Sequence, residues 1–153
     1  ERINIGAQTG SNVLLKKINR GHTSDDVIKA VEVLSETGFK VDVDYILGLP
    51  DDTPEDLKQT LTHMKEVVSR GGRAHIHFFV PLPGTPYALN NPSRVPASVR
   101  NEVLKLVGQG KAYGNWLNQE RIARKVLRLR REGVILATSE RAYDAISRSL
   151  RTT

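Results

Sequence analysis

Ile3-Asn4-Ile5-Gly6-Ala7-Gln8, Val41-Asp42-Val43-Asp44-Tyr45-Ile46-Leu47 and Ala74-His75-Ile76-His77-Phe78-Phe79-Val80 are three segments in which apolar and polar residues alternate. That period of two belongs to a strand whose faces meet different surroundings. Each segment is followed by a helix signal, and strands alternating with helices imply βαβ units and a parallel sheet. Parallel strands covered by helices on both faces read as continuous apolar runs. Here the second parity instead carries Asn4, Gln8, Asp42, Asp44, His75 and His77. The pattern predicts an α/β fold with helices packed on one face of the sheet and a barrel lumen or ligand cavity on the other.

The intervening segments carry their own punctuation. Thr23 is placed to cap a helix whose apolar stripe is Val27, Ile28, Val31 and Leu34, with Gly38 as its stop. Thr53 caps the next helix, with Pro54 at its first position and Glu55 and Asp56 in the first turn, where the macrodipole favours anions. Leu57, Leu61, Met64 and Val68 form its core stripe, and Gly71-Gly72 ends it. The segments start at residues 3, 41 and 74, a repeat long enough for right-handed crossovers. Pro81, Pro83, Gly84, Pro86, Asn90, Asn91, Pro92 and Pro96 then mark loop and linker. Helical patterns follow at about 97–107 and 115–132, and an amphipathic one near 139–150 carries Tyr143, Ile146 and Leu150. Val134-Ile135-Leu136 reads as a short strand or a packed connector. The expected organisation is a βα region over 1–89, a linker over 90–97 and a basic helical extension over 98–153.

Length and composition narrow the classes. The chain has 153 residues, 39% of them apolar, enough for one modest core. It contains no cysteine, so neither disulfides nor thiolate metal sites are available. No apolar run approaches the length of a membrane span and no signal-peptide pattern opens the chain, so a cytoplasmic, non-membrane origin is expected. It starts at Glu1 without Met and enters a strand almost at once, as an excised piece of a longer protein would. The net charge of +6 is uneven: residues 1–97 hold 11 Lys+Arg against 12 Asp+Glu, and residues 98–153 hold 12 against 5. The basic end reads either as a solvated helix face or as a surface for RNA, an acidic substrate or a partner protein.

In βα folds ligands bind at the carboxyl ends of the strands. Those ends hold Gln8, Thr9, Gly10 and Ser11, then Asp44, Ile46 and Gly48, then Phe79, Val80 and Pro81. An inward acid needs a partner. For Asp44 that is a nearby Arg or Lys, or a ligand group such as a ribose hydroxyl or an amine; Asp42, lower in the strand, reads as structural. Arg20 is a loop arginine that either faces solvent or forks onto a ligand carboxylate. Gly6 and Gly48 are ordinary strand glycines or points of close ligand approach. His75 and His77 share a face, a spacing that permits metal ligation, but no third ligand is evident and no metal is expected. No P-loop, GxGxxG or HExxH occurs. On these residues alone, a free-standing α/β module binding a small anionic or nucleoside ligand is as open as an enzyme.

Taken as an ordered set, Ile5-Gly6-Ala7-Gln8-Thr9-Gly10-Ser11, Leu15-Lys16-Lys17-Ile18-Asn19-Arg20-Gly21-His22-Thr23, Val43-Asp44-Tyr45-Ile46-Leu47-Gly48-Leu49-Pro50 with Thr53-Pro54-Glu55-Asp56, and Pro83-Gly84-Thr85-Pro86 resemble the second half of a radical S-adenosylmethionine (SAM) enzyme barrel. The likeness covers about residues 1–90. Within the superfamily it looks most like the methylthiotransferases and the proteins with an N-terminal cobalamin-binding domain. The resemblance implies that the three segments are the last strands of a partial (β/α)6 TIM-like barrel. It implies SAM as a cofactor, a [4Fe–4S] cluster, and cobalamin as an option in the parent. Position by position, Gln8 and Asp44 match polar SAM contacts, with Asp44 toward the ribose. Arg20 matches an arginine on the methionine carboxylate, and Ile46 with the Phe79–Val80 backbone matches the adenine edge.

The departure from the family pattern is as informative. The family's cluster sits on a Cys-x3-Cys-x2-Cys loop after the first strand, and this chain has no cysteine. Thiolates are the ligands such clusters require. The chain is therefore expected to hold no catalytic residue of its own, to be inactive alone, and to need the missing N-terminal half of the barrel as its partner. Ile3–Gln8 would meanwhile expose an open edge, through which the chain self-associates unless the C-terminal helices cover it.

Overall fold

The computed structural model describes residues 1–135; the helix expected near 139–150 and Leu136 of the 134–136 connector lie outside the described residues. Four parallel strands form one sheet in the order β1-β2-β3-β4: β1 (Arg2–Gln8), β2 (Lys40–Leu47), β3 (Gly72–Phe78) and β4 (Ala112–Tyr113). The three expected strands are thus present, parallel and adjacent in sequence order. β3 ends at Phe78, but the Phe79 N–H still donates to the Leu47 carbonyl at 2.9 Å before Pro81 stops the pairing.

One face of the sheet is dry. Val41, Val43, Tyr45 and Leu47 of β2 and Ala74, Ile76 and Phe78 of β3 are buried in a single core. Helices α2 (Ser24–Glu36) and α3 (Pro54–Ser69) cover them with Val27, Ile28, Val31, Leu57, Met64 and Val67. Both helices start with the expected capping boxes, Thr23 with Asp26 and Thr53 with Asp56, which satisfy N–H groups that the first turn leaves orphaned. Tyr45 gives this strand face a polar tip. Its hydroxyl lies 2.7 Å from His63 Nδ1, and His63 Nε2 lies 2.9 Å from the Ser24 carbonyl. His63 Nε2 therefore donates to Ser24, and Nδ1 accepts from Tyr45. Burial holds His63 below its ordinary pKa, so this bridge from β2 through α3 to α2 runs through a neutral ring.

The chain after β3 joins the same core. Val95 of the linker, Val99, Val103 and Leu106 of α4 (Ala97–Gly108), and Trp116 and Ala123 of α5 (Trp116–Arg131) pack into it. Helices α4 and α5 sit beside β3 and β4, at the sheet edge opposite β1. Among the described residues they do not fold back over β1, which pairs only with β2. No helix among the described residues is long and apolar enough to cross a membrane.

The turn after β2 buries an acid. The side chain of Asp52 is nearly covered, and among the described residues its Oδ1 has no hydrogen-bond partner. Burial first, and the Asp56 charge second, push its carboxyl up to about 7, only partly offset by the N–H groups of Gly48 and Leu49. A folded pKa above the unfolded value stabilises the fold below about pH 4, and that contribution is lost as pH rises through about 7. Asp52→Asn stays neutral throughout. Thermal melts should show it gaining on the parent sequence by about 1–3 kcal/mol between pH 4 and pH 8; a pH-independent difference would contradict this assignment.

Candidate functional site on the polar face of the sheet

The polar face is built in layers along the strands. In the lower layer Asp42 of β2 is 1% exposed. Arg2 donates to its Oδ2 at 2.5 Å, Tyr113 Oη donates to the same oxygen at 2.9 Å, and Arg73 Nε donates to Oδ1 at 3.1 Å. Burial alone would raise the Asp42 carboxyl, but the donors Arg73, Arg2 and Tyr113 together hold it below the usual carboxylate range. The Arg73 guanidinium also lies 4.1 Å over the Tyr113 ring. Asp42 is thus structural, as its position in the strand suggested.

The upper layer holds Asp44, His75 and His77. Asp44 and His75 are register partners, and His75 Nδ1 lies 2.8 Å from Asp44 Oδ1. His77 Nε2 stands 3.7 Å from the same oxygen. The partner of Asp44 is therefore a histidine rather than the Arg or Lys expected of an ion pair. The His75 ring stacks on Tyr113 at 4.4 Å and 6° and meets His77 edge-on at 4.1 Å. Burial, and then the neighbouring His75, hold His77 below its ordinary pKa against the pull of Asp44. The sequence offered no third ligand beside the two histidines, but the sheet supplies one. One atom from each of Asp44, His75 and His77 falls within 4.8 Å of the others.

At the strand end, β1 carries a bulge: the register with β2 shifts between Gly6 and Gln8, and Gln8 has a φ of +68°. The loop that follows is pinned to α3. Thr9 Oγ1 and Thr60 Oγ1 are 2.9 Å apart, and Ser11 donates to Asp56 Oδ1 at 2.5 Å. Gly10 lies so close to α3 that a Cβ there would fall 2.6 Å from His63 Cβ. The bulge and this pinned loop bring Gln8 back over Gly6, where it meets Arg20, from the turn after α1 (Asn12–Lys17). A Cβ on Gly6 would lie 2.8 Å from Gln8 Nε2 and 3.2 Å from Arg20 Nη2, and Arg20 Nη2 donates to the Gly6 carbonyl at 3.0 Å. Gly6 is in register with Asp44. Gln8, Arg20 and Asp44 are accordingly brought to one region of the polar face.

The remaining candidates divide. Ile46 pairs in register with His77, and its parity places it on this face. Phe79 meets the Tyr87 ring edge-on at 6.4 Å, and the Val80 side chain packs against the core while its carbonyl accepts from Leu82. Gly48 has a structural duty, since a Cβ there would strike the Phe78 ring. Two residues of the site were missed in the sequence: Tyr113 and Gln119. Gln119 Oε1 accepts from the Phe78 N–H at 2.8 Å and its Nε2 lies 3.4 Å from His77 Nδ1.

Residues 1–64 match the family model of the Radical SAM superfamily. Those 64 residues are thus similar to part of a radical SAM domain. The chain is 32% identical over 104 residues to a tRNA-2-methylthio-N(6)-dimethylallyladenosine synthase of Ehrlichia ruminantium, covering 67% of this chain and 23% of that protein. It is 33% identical over 107 residues to a threonylcarbamoyladenosine tRNA methylthiotransferase of Thermotoga maritima, covering 69% and 24%. The chain thus spans about a quarter of the length of these relatives. Among solved structures, the archaeal Methanocaldococcus infernus Elp3 with an N-terminal deletion superposes with a TM-score of 0.54 at 17% identity, over 90% of this chain and 37% of that one, a likeness of fold. A four-stranded parallel sheet covered on one face agrees with part of a TIM-like barrel.

The Asp42 layer gives a stability test. Asp42→Ala should cost about 1–3 kcal/mol, since it strands Tyr113 and two arginines, and Tyr113→Phe about 0.5–1.5 kcal/mol, since it removes one donor. Urea denaturation checks both; a Tyr113→Phe cost equal to that of Asp42→Ala would show that the hydroxyl alone matters.

Proposed function

We propose that this chain is the SAM-binding second half of the catalytic barrel of a longer radical SAM enzyme. The observation that carries the reading is the meeting of Gln8 and Arg20 over Gly6, in register with Asp44. The donor set fits SAM in kind. Arg20 spends one N–H on the Gly6 carbonyl and keeps the rest of its fork for a carboxylate. Asp44 receives His75 on Oδ1, and no hydrogen bond from the described residues reaches Oδ2, which is left for a ribose hydroxyl. Gln8 offers an amide to either end of the cofactor. Ile46 and the Phe79–Val80 backbone would line the adenine, where an apolar floor and main-chain groups suit a base.

The [4Fe–4S] cluster does not fit this chain, which has no thiolate to hold it. Cluster ligation is assigned to the missing N-terminal half, and the chain alone is not competent. Bound SAM would supply the reactive group. The residues here would orient it and keep its charged ends paired, the part a protein plays around a cofactor. The relatives are by name tRNA-modifying enzymes, and RNA is the substrate class we assign to the longer protein. Cobalamin remains an option of the parent, and β1, unpaired on one side among the described residues, is where the missing half or a second copy would dock.

Calorimetric SAM titration of the longer protein tests the reading. Arg20→Ala and Asp44→Ala should each weaken binding by about 1–3 kcal/mol, the range for a lost partner of a polar or charged group. Unchanged affinity in both would remove the assignment. Iron-independent SAM binding by the 153-residue chain alone would favour a free-standing nucleoside-binding module instead.

A further inference from the structure

Asp44, His75 and His77 offer one carboxylate and two imidazoles within a small radius. Such a set serves either to hold a divalent cation or to hold protons, and Gln119 decides between the two. Its Oε1 is taken by the Phe78 N–H at 2.8 Å, which turns the NH2 group toward His77 Nδ1 at 3.4 Å. An NH2 only donates, so His77 Nδ1 is an acceptor and its proton sits on Nε2, the nitrogen facing Asp44. A histidine that ligates a metal through Nε2 carries its proton on Nδ1 and donates it to an acceptor. His77 is in the opposite state. His75 is the mirror case: its Nδ1, 2.8 Å from Asp44 Oδ1, carries the proton, so in the neutral ring Nε2 bears the lone pair.

We infer that the cluster is not a cation site but a proton-accepting one, in which His75, backed by Asp44, takes a proton at Nε2 from a hydroxyl or amino group of a ligand on the polar face. The ring is held for this task. It is stacked on Tyr113, which is itself tied to Asp42, and it is met edge-on by His77. The two ring nitrogens lie on opposite edges, so Nε2 faces away from Asp44, and the His75 side chain is 26% exposed. In the transfer, the ligand's O–H or N–H bond breaks and leaves its electron pair on the ligand. The new N–H bond forms at Nε2, and the Asp44 carboxylate compensates the imidazolium. The charged and titratable groups around the ring are Asp42 and Asp44 of β2, Arg73 and His77 of β3, Tyr113 of β4, and Arg20 on the β1 side. Only the location of the ligand rests on the proposed function; the acid–base pair rests on the geometry above.

Long-range imidazole 1H–15N spectra of the labelled 153-residue chain, recorded above neutral pH, test it. His75 should appear as the Nδ1–H form and His77 as the Nε2–H form. Asp44→Ala should return His75 to the Nε2–H form, and Gln119→Glu, which turns the facing group into an acceptor, should move the His77 proton to Nδ1. Diethyl pyrocarbonate should acylate His75 severalfold faster than His77. An Nε2–H form of His75 in the unaltered chain would overturn the inference, as would a zinc titration that shifts both rings at one equivalent. Loss of SAM binding by the longer protein would leave these spectra unchanged, so the two readings fail separately.

Discussion

One carboxylate touches all four strands. Asp42 belongs to β2, and its donors are Arg2 of β1, Arg73 of β3 and Tyr113 of β4. A charge at 1% exposure costs several kcal/mol unless it is paired and hydrogen-bonded. Here the sheet itself is the pairing device. Slipping any strand by one residue would turn its contribution to the opposite face and leave the charge uncompensated. The polar parity thus specifies register on a face where apolar packing, which usually does so, is missing. The layer above depends on it. Tyr113 is held by Asp42 from below and offers its ring to His75, and His75 in turn takes the Asp44 carboxylate.

The opposite face is organised by ordinary burial, and it was legible in the sequence for that reason. Period-two alternation marks which strand residues meet helices, and Val41, Val43, Tyr45, Ile76 and Phe78 all do. The caps at Thr23 and Thr53 were legible because a hydroxyl followed three residues later by a carboxylate is a local signature with a local cause. Gln8, Arg20 and Asp44 were legible as individual residues. The resemblance implied that they converge on one ligand; the means was not legible, because their meeting over Gly6 depends on a bulge in β1 and on a loop fastened to α3 some fifty residues downstream.

What stayed hidden has a common physical origin. β4 is two residues long and lies between Gly110 and Gly114, so no periodicity can announce it. Its existence follows from an exposed β3 edge and from α5 anchoring nearby through the buried Trp116. Tyr113 and Gln119 become site residues only through that docking. The basic excess of the C-terminal third is likewise partly redirected. Arg100 and Arg124 share Glu120, with Arg100 also lying over Trp116, while Arg130 reaches back to the Ala88 carbonyl and to Asn91. Arg100 holds α4, and Arg130 the segment at Ala88 and Asn91, against α5, a use that net charge alone could not distinguish from a nucleic-acid surface.

The two carboxylates of β2 are two residues apart on one face, yet they differ in what they have left to give. Asp42 receives two guanidinium groups and a phenol, and its environment is closed. Asp44 receives one imidazole at hydrogen-bond distance and a second at 3.7 Å, and remains part-exposed. A buried charge that is fully satisfied is inert, because any new partner must displace an old one; a charge held by a single donor keeps capacity for a ligand. Chemistry on this face therefore rises with distance along the strands. The lower layer is spent on registering them, and the upper layer, next to the strand ends where Gln8 and Arg20 meet, retains unspent oxygens and nitrogens. Sharing Tyr113 joins the two layers, so the site is placed by the same contacts that assemble the sheet.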